Sequence, residues 1–223
     1  MIELDERLSM LYNMVPPCAA AADIGADHGF LGARLLESGK CARVEFLDIS
    51  EPSLKKAWRL IRRCSLLDRA DFTVGDGVAA LKNPADAVVI AGMGAPTISG
   101  IVERGLSRLE RARLIMQPNI GADRLRADLM RMGFVICDEM IVRAGGRYYV
   151  AMAAERGQAA YTEKELLAGP VLLEKRPPDF AGYVQFRLRV QRKAYAGAVK
   201  GEAENAEALA HEIALWEEIE QCL

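Results

Sequence analysis

Residues 21 to 30 read Ala-Ala-Asp-Ile-Gly-Ala-Asp-His-Gly-Phe, an apolar run that ends on Asp23 and Gly25 and opens into a helical pattern from Gly29 to Ser38. A second apolar run ends on Asp48, about one strand–helix–strand unit later, and a third runs into Gly75-Asp76-Gly77. Short buried runs that stop at an acid or a glycine and then give way to helical periodicity specify parallel strands joined by crossover helices. The acids fall where a nucleotide-binding fold presents ligand-binding groups, and Asp48 stands at the ribose position.

Periodicity extends this frame in both directions. Leu4, Leu8, Leu11 and Tyr12 recur at three- and four-residue steps and predict a helix over Glu3 to Met14 that stops before Pro16 and Pro17. Strands are predicted at 19–23, 43–48, 71–74, 87–91 and 113–116, with helices at 29–38, 51–64, 97–109 and 122–132. Residues 134–142 and 148–153 read as two long strands joined by a Gly-Gly turn. The expected fold class is therefore α/β: a Rossmann-like, mostly parallel seven-stranded sheet with an antiparallel terminal hairpin. By analogy of fold, that hairpin favours a methyltransferase over a dehydrogenase. Beyond Arg156 the strand signals end. A helical patch at 163–167, a helix opened by Pro177 and Pro178 and running from Phe180 to Val199, and another over Glu202 to Leu223 predict a C-terminal helical hairpin. The expected domains are 1–156 and 157–223.

Composition excludes several classes. No apolar stretch reaches the roughly 18 residues that span a bilayer, and the acidic N-terminus is unlike a secretory signal, so the expected location is the cytoplasm. Five cysteines without a C-x-x-C pair and two well-separated histidines predict reduced thiols and no metal. The net charge of −2 argues against a uniformly basic nucleic-acid binder. It conceals a polarised tail: five cations and no acid between Ala181 and Gly201, then seven glutamates and no Lys or Arg from Glu202 to Glu220.

The site residues follow from the strand ends. Gly25 lets the backbone approach a ligand, and the amides of the next helix carry partial positive charge. The spacing D-x-G-x-x-x-G lacks the dinucleotide fingerprint and suits S-adenosylmethionine, whose methionyl amine calls for an acid; Asp23 either meets that end or caps the turn. Asp48 would accept from both ribose hydroxyls. Asp76 either accepts from the adenine amine, with Gly77 leaving room for the ring, or belongs to a tight turn. The catalytic candidates are Asp27 and His28 in the first loop and Asn119 after the fifth strand, His28 being otherwise a structural residue. Gly92, Met93 and Gly94 form either the acceptor mouth or a strand-to-helix turn. Gln117, Pro118 and Asn119 stand at the adjacent strand end, where amides read a base edge or Asn119 caps a helix.

Asp23-Ile-Gly-Ala-Asp-His28, Gly75-Asp-Gly77, Ile90-Ala-Gly-Met-Gly94 and Gln117-Pro-Asn119, in that order, resemble the bacterial TrmK family, the tRNA (adenine-22-N1)-methyltransferases. The resemblance implies S-adenosylmethionine-dependent methylation of adenine N1 in tRNA, by a Rossmann-like domain followed by a coiled-coil-like hairpin. Two positions depart from the family pattern: Ala95-Pro96 stand where another glycine tends to follow Gly94, and Asp48 stands where Glu is common. With tRNA as the expected partner of a monomer or weak dimer, the cations placed to meet phosphates are Arg7, Lys55, Lys56, Arg59, Arg62, Arg63 and the 187–200 block, with Arg187, Arg192 and Lys193 its leading members. Methylation of a small molecule or protein, and a non-catalytic RNA-binding module, remain open alternatives.

Overall fold

A computed structural model describes residues 2–202 and 204–223; Met1 and Ala203, the latter within the expected start of the last helix, lie outside the described residues. The run that ends at Asp23 forms β1 (Cys18–Ile24), about which the sheet is arranged. From β1 the chain moves outward through helix α2 (Phe30–Glu37) to β2 (Cys41–Asp48), and through α3 (Glu51–Arg63) to the edge strand β3 (Ala70–Val74). It then crosses back to β4 (Ala87–Met93) on the other side of β1, and continues through α4 (Ala95–Arg104), β5 (Arg113–Pro118) and α5 (Ala122–Arg131). The seven-stranded order is β3-β2-β1-β4-β5-β7-β6. The first five strands are parallel; β7 (Arg147–Arg156) is antiparallel to β5 and to β6 (Phe134–Ala144). This is the Rossmann-like methyltransferase arrangement expected from the sequence. The reversal between β1 and β4 opens a crevice at the carboxyl ends of the strands, where α/β sheets of this kind hold ligands.

Local chemistry explains the boundaries. α1 (Glu6–Met14) starts later than its periodicity predicts because the Asp5 carboxylate accepts from Leu8 N at 2.7 Å and caps the helix. α4 begins at Ala95, ahead of the expected Thr97, because Pro96 is tolerated in the first turn with Gly94 as N-cap. It ends at Arg104, short of the expected Leu109, and a 3-10 turn over Leu106–Arg108 takes up the remainder. Gly145 and Gly146, at φ of 54° and 78°, close the β6–β7 turn in the conformation that hairpins favour.

The core holds charge as well as hydrocarbon. Arg126 on α5 and Glu139 on β6 are fully buried, with Nε 2.8 Å from Oε1. Glu45 on β2 accepts from Thr73 Oγ1 at 2.7 Å and from Lys82 N at 3.2 Å. Such groups persist in an interior only when their hydrogen bonds are satisfied.

The chain divides into two compact units, Met1–Ala159 and Ala160–Leu223. The second contains α6 (Glu163–Ala168), α7 (Pro170–Lys175), α8 (Phe180–Lys200) and α9 (Ala206–Gln221). Thr162 and Glu165 form a capping box on α6. Pro177 and Pro178 lie outside α8, where they were expected to open it; Phe180 N bonds Pro177 O at 2.8 Å and Asp179 is the N-cap. α8 and α9 pack around buried Leu188, Trp216 and Ile219. Their charges are opposed across the seam: Arg187 to Glu212 at 3.2 Å, Arg192 to Glu217 at 2.7 Å, and Gln191 donating to the same Glu212 carboxylate oxygen. The polarised tail is thus a basic helix laid on an acidic one.

Candidate cofactor and substrate site

At the carboxyl end of β1 the chain must leave the sheet and enter α2 within a few residues. Gly25, at φ 72°, makes this turn, and its N–H donates to Leu47 O at 2.7 Å, tying the turn to β2. A Cβ on Gly25 would lie 2.3 Å from Met93 Cε and would take on the strain of the left-handed region as well. The turn and the Gly92–Gly94 loop are therefore in direct contact. The cleft beneath, about 150 Å³, is lined by Arg7, Leu11, Asp23, Gly25, His28 and Ala91 among others.

Asp23 faces this cleft as a carboxylate only 8% exposed. Burial pushes its pKa up to about 6; the Gly32 N–H it accepts at 3.3 Å opposes the rise and the neighbouring Asp48 charge adds to it. Asp23 thus caps the first turn of α2 and is also a buried acid that gains from a cationic ligand. Asp27, at φ 37°, is bound by Lys56 Nζ at 2.8 Å and lies 3.3 Å from His28 Nε2. His28 is about half exposed and stacks on Phe30 at a centroid distance of 5.7 Å.

Asp48 ends β2 beside this turn. Its Oδ1 accepts from Ser50 N at 2.8 Å, Oδ2 accepts from Asp27 N at 3.4 Å, and its own carbonyl accepts from Gly75 N at 3.1 Å. The three strand ends are laced together at this acid. Asp76, after β3, is exposed and its Oδ1 accepts from Arg104 Nη2 at 2.9 Å. Gly77 has a reason other than room for a ring: at φ 59°, a Cβ there would stand 2.7 Å from Ile101 Cγ2 on α4.

On the other side of the crevice the β4 and β5 ends form one loop system. Asn119 N donates to Met93 O at 2.7 Å, Asn119 Nδ2 donates to Gly92 O at 2.7 Å, and Ala95 N donates to Ile120 O at 3.1 Å. Gln117 is fully buried; its Nε2 donates to Asn119 Oδ1 at 3.2 Å and its Oε1 accepts from Arg7 Nη1 at 2.9 Å. Both amide atoms are engaged and the side chain is fully buried, so Gln117, expected from sequence to offer an amide to a base edge, instead links α1 to the loop. Asn119 does not cap α5, whose N-cap is Gly121; it holds the carbonyl of Gly92. Pro118 is buried, Met93 and Gly94 are partly exposed, and Ile120 stands 74% exposed beside Gly94.

The fold brings Asp23, Gly25, Asp27, His28 and Asp48 together at one turn, and Gly92, Met93, Gly94, Gln117, Pro118 and Asn119 at the facing loops. Arg7 and Lys56, expected from sequence only as cations for phosphates, are partners of these residues; helical cations give no sequence signal of what they will meet in the fold. In the C-terminal unit, Arg187 and Arg192 are occupied by α9 glutamates, and the Arg187 guanidinium lies 5.3 Å from the Trp216 ring centroid; Lys193 is exposed. Among the described residues no three His, Cys, Asp or Glu side chains are grouped to hold a metal, and no helix is long and apolar enough to cross a membrane.

A family described as "Methyltransferase domain" matches residues 4–152. The tRNA (adenine(22)-N(1))-methyltransferase of Bacillus subtilis is 34% identical over 187 residues, 80% of this chain and 79% of its own. Among solved structures, that of the B. subtilis m1A22 tRNA methyltransferase TrmK superposes with a TM-score of 0.89 at 27% identity, covering 99% of this chain and 100% of the other. A Streptococcus pneumoniae protein solved in complex with S-adenosyl-L-methionine gives 0.88 at 28% identity, with the same coverage.

Proposed function

Because this chain belongs to the tRNA (adenine-22-N1)-methyltransferase family, TrmK, we propose that it transfers the methyl group of S-adenosylmethionine to N1 of adenine 22 in tRNA. The observation that carries the cofactor assignment is the buried Asp23 carboxylate beside the Gly25 turn, at the switch point of a sheet whose next strand end carries Asp48. The residues present fit the group: a buried acid for an ammonium, a carboxylate for a diol, and a turn with no Cβ where a ligand must approach closely. When bound, S-adenosylmethionine supplies an electrophilic methyl on a sulfonium, open to in-line attack by the neutral N1 lone pair of adenine.

The protein's own residues position and shield. Asp23 would hold the methionyl amine and Asp48 the ribose hydroxyls, with Asp76 and Gly92 on the nucleoside side and Gly77, closed off by Ile101, setting the turn beside Asp76. The cleft near Asp23 is smaller than the roughly 300 Å³ of a usual ligand pocket, so Asp23 and the Gly25 turn would hold the methionyl end only, and the nucleoside would be left to Asp48 and the neighbouring strand ends. No general base is needed to free N1, and most of the rate comes from holding the adenine at attack distance. The Arg7–Gln117–Asn119–Gly92 chain of hydrogen bonds fixes the loop that would do this, with Met93 and Gly94 as its partly exposed wall and Pro118 buried within it. Asp27 and His28, at the mouth, would orient the adenine amine and accommodate the positive charge that arrives on the ring. In folded tRNA the target face must be exposed by local opening. We place the reaction in the cytoplasm, where tRNA is available, in a monomer or weak dimer whose mass light scattering would measure.

The test is to incubate the protein with methyl-labelled S-adenosylmethionine and unmodified tRNA and map the label. Methyl on N1 of adenine 22 is expected; label on protein or a metabolite, with none on tRNA, would refute the proposal.

A further inference from the structure

Helix α3 carries Lys55, Lys56, Arg59, Arg62 and Arg63 against a single acid, Glu51, and every one of the five cations is exposed. The opposite face, Leu54, Ala57, Leu60 and Ile61, is buried. Lys55 is paired with Glu51 and Lys56 with Asp27, each at 2.8 Å. Arg59, Arg62 and Arg63 form no ion pair with the described residues. Between them stands Trp58, 38% exposed, with the Arg62 guanidinium 5.2 Å from its ring centroid.

A charged helix face is ordinarily just a solvated one. Three features set this face apart. Its arginines lack counter-charges, a large aromatic is left among them, and an open groove of about 590 Å³ is lined by His28, Lys56, Trp58, Arg59, Arg62 and Arg63. His28 also lines the cleft at the Gly25 turn, so groove and cleft share a wall. At 1.5 Å per residue, Lys55 to Arg63 extends about 12 Å, enough to meet consecutive phosphates of one strand. Resting on the function proposed above, we infer that the exposed face of α3 is a docking surface for the tRNA strand that leads into the cleft, with the arginines on phosphates and Trp58 stacked on an unpaired base. An acidic protein surface would satisfy the arginines but gives no use to the indole, whereas base stacking on an aromatic beside backbone-tracking cations is the common mode of single-strand recognition.

The experiment uses the full chain, unmodified tRNA and S-adenosylmethionine. R59A/R62A/R63A should lower the slope of log affinity for tRNA against log salt by about two to three. Trp58→Ala should weaken tRNA binding about ten- to a hundredfold with the slope unchanged. Both variants should bind S-adenosylmethionine within about twofold of the parent, which also verifies their fold. On the unaltered protein, tRNA should quench Trp58 emission over the constant background of fully buried Trp216. Absent quenching, unchanged tRNA affinity and slope in both variants, or displacement of tRNA by poly-glutamate as effective as by tRNA itself would overturn the docking face. A parent protein that binds S-adenosylmethionine but neither binds nor methylates tRNA would overturn the proposed function and the docking face with it; unchanged binding by the variants of an active enzyme overturns the docking face alone.

Discussion

Replacing Asp23 by Asn separates what this carboxylate does for the fold from what it does for the cofactor, because the two effects have opposite signs. Folding moves its pKa from 3.8 to about 6, chiefly by burial. Below pH 3.8 the group is protonated in folded and unfolded chains alike and costs nothing. Between about 4 and 6 the folded chain retains a proton that the unfolded chain has lost, so stability falls as pH rises. Above about 6 the full cost is present, and a displacement of this size corresponds to roughly 3 kcal/mol. Asp23→Asn cannot titrate. Without ligand, its unfolding free energy relative to the parent should therefore climb by up to about 3 kcal/mol between pH 4 and pH 7.5, measured by urea denaturation. Cofactor binding should show the reverse. An ammonium held by Asp23 requires the ionised acid, so the parent should lose about tenfold in S-adenosylmethionine affinity by calorimetry between pH 7 and pH 5, and the variant should be weaker at pH 7.5 and flat with pH. A variant that binds the cofactor as tightly as the parent at pH 7.5 would show that Asp23 only caps α2, and equal stabilities across the pH range would refute the burial argument.

Other perturbations test neighbouring parts of the site and the core. Asp48→Ala should weaken S-adenosylmethionine binding by about 2–3 kcal/mol, the worth of hydrogen bonds to a charged acceptor, while the free protein stays folded and loses about 1–3 kcal/mol with the bond from Ser50 N; unaltered affinity by calorimetry would remove the ribose assignment. Asn119→Ala should free the Gly92 carbonyl and lower single-turnover methylation of tRNA on the order of a hundredfold while cofactor affinity stays constant, and a rate within twofold of the parent would show that the loop is held without it. Arg126→Ala should cost about 3–5 kcal/mol by taking from the buried Glu139 carboxylate the guanidinium that donates to it at 2.8 Å, whereas Arg126→Met combined with Glu139→Leu should recover most of that loss in urea denaturation; no recovery would mean that packing, not charge, sets the cost.

The strand ends were legible from the sequence because burial and chemistry act there on adjacent residues. Parallel strands covered on both faces read as unbroken apolar runs, and Asp23 and Asp48 interrupt those runs where the chain leaves the sheet. Caps were harder: Asp5 and Gly94 decide where α1 and α4 begin, and a periodicity count weighs neither. Least legible were groups whose partners lie far along the chain. Gln117 carries an amide suited to a base edge, and only the fold reveals that Arg7 and Asn119 occupy it. Arg187 and Arg192 belong to a cationic block by sequence but meet α9 glutamates across the hairpin. Gly77 was read as a ligand-facing glycine, whereas Ile101, on the helix after the following strand, fills the place of its side chain.

The opposition of α8 and α9 has a consequence for how this tail can change over generations. With Arg187 and Gln191 sharing Glu212, and Arg192 on Glu217, a charge reversal on either helix leaves a like-charged contact beside the buried Trp216 unless the facing position reverses too. Positions 187 with 212, and 192 with 217, should therefore drift as couples among relatives, each recording the other's substitutions, while Lys193, exposed beside them, varies on its own.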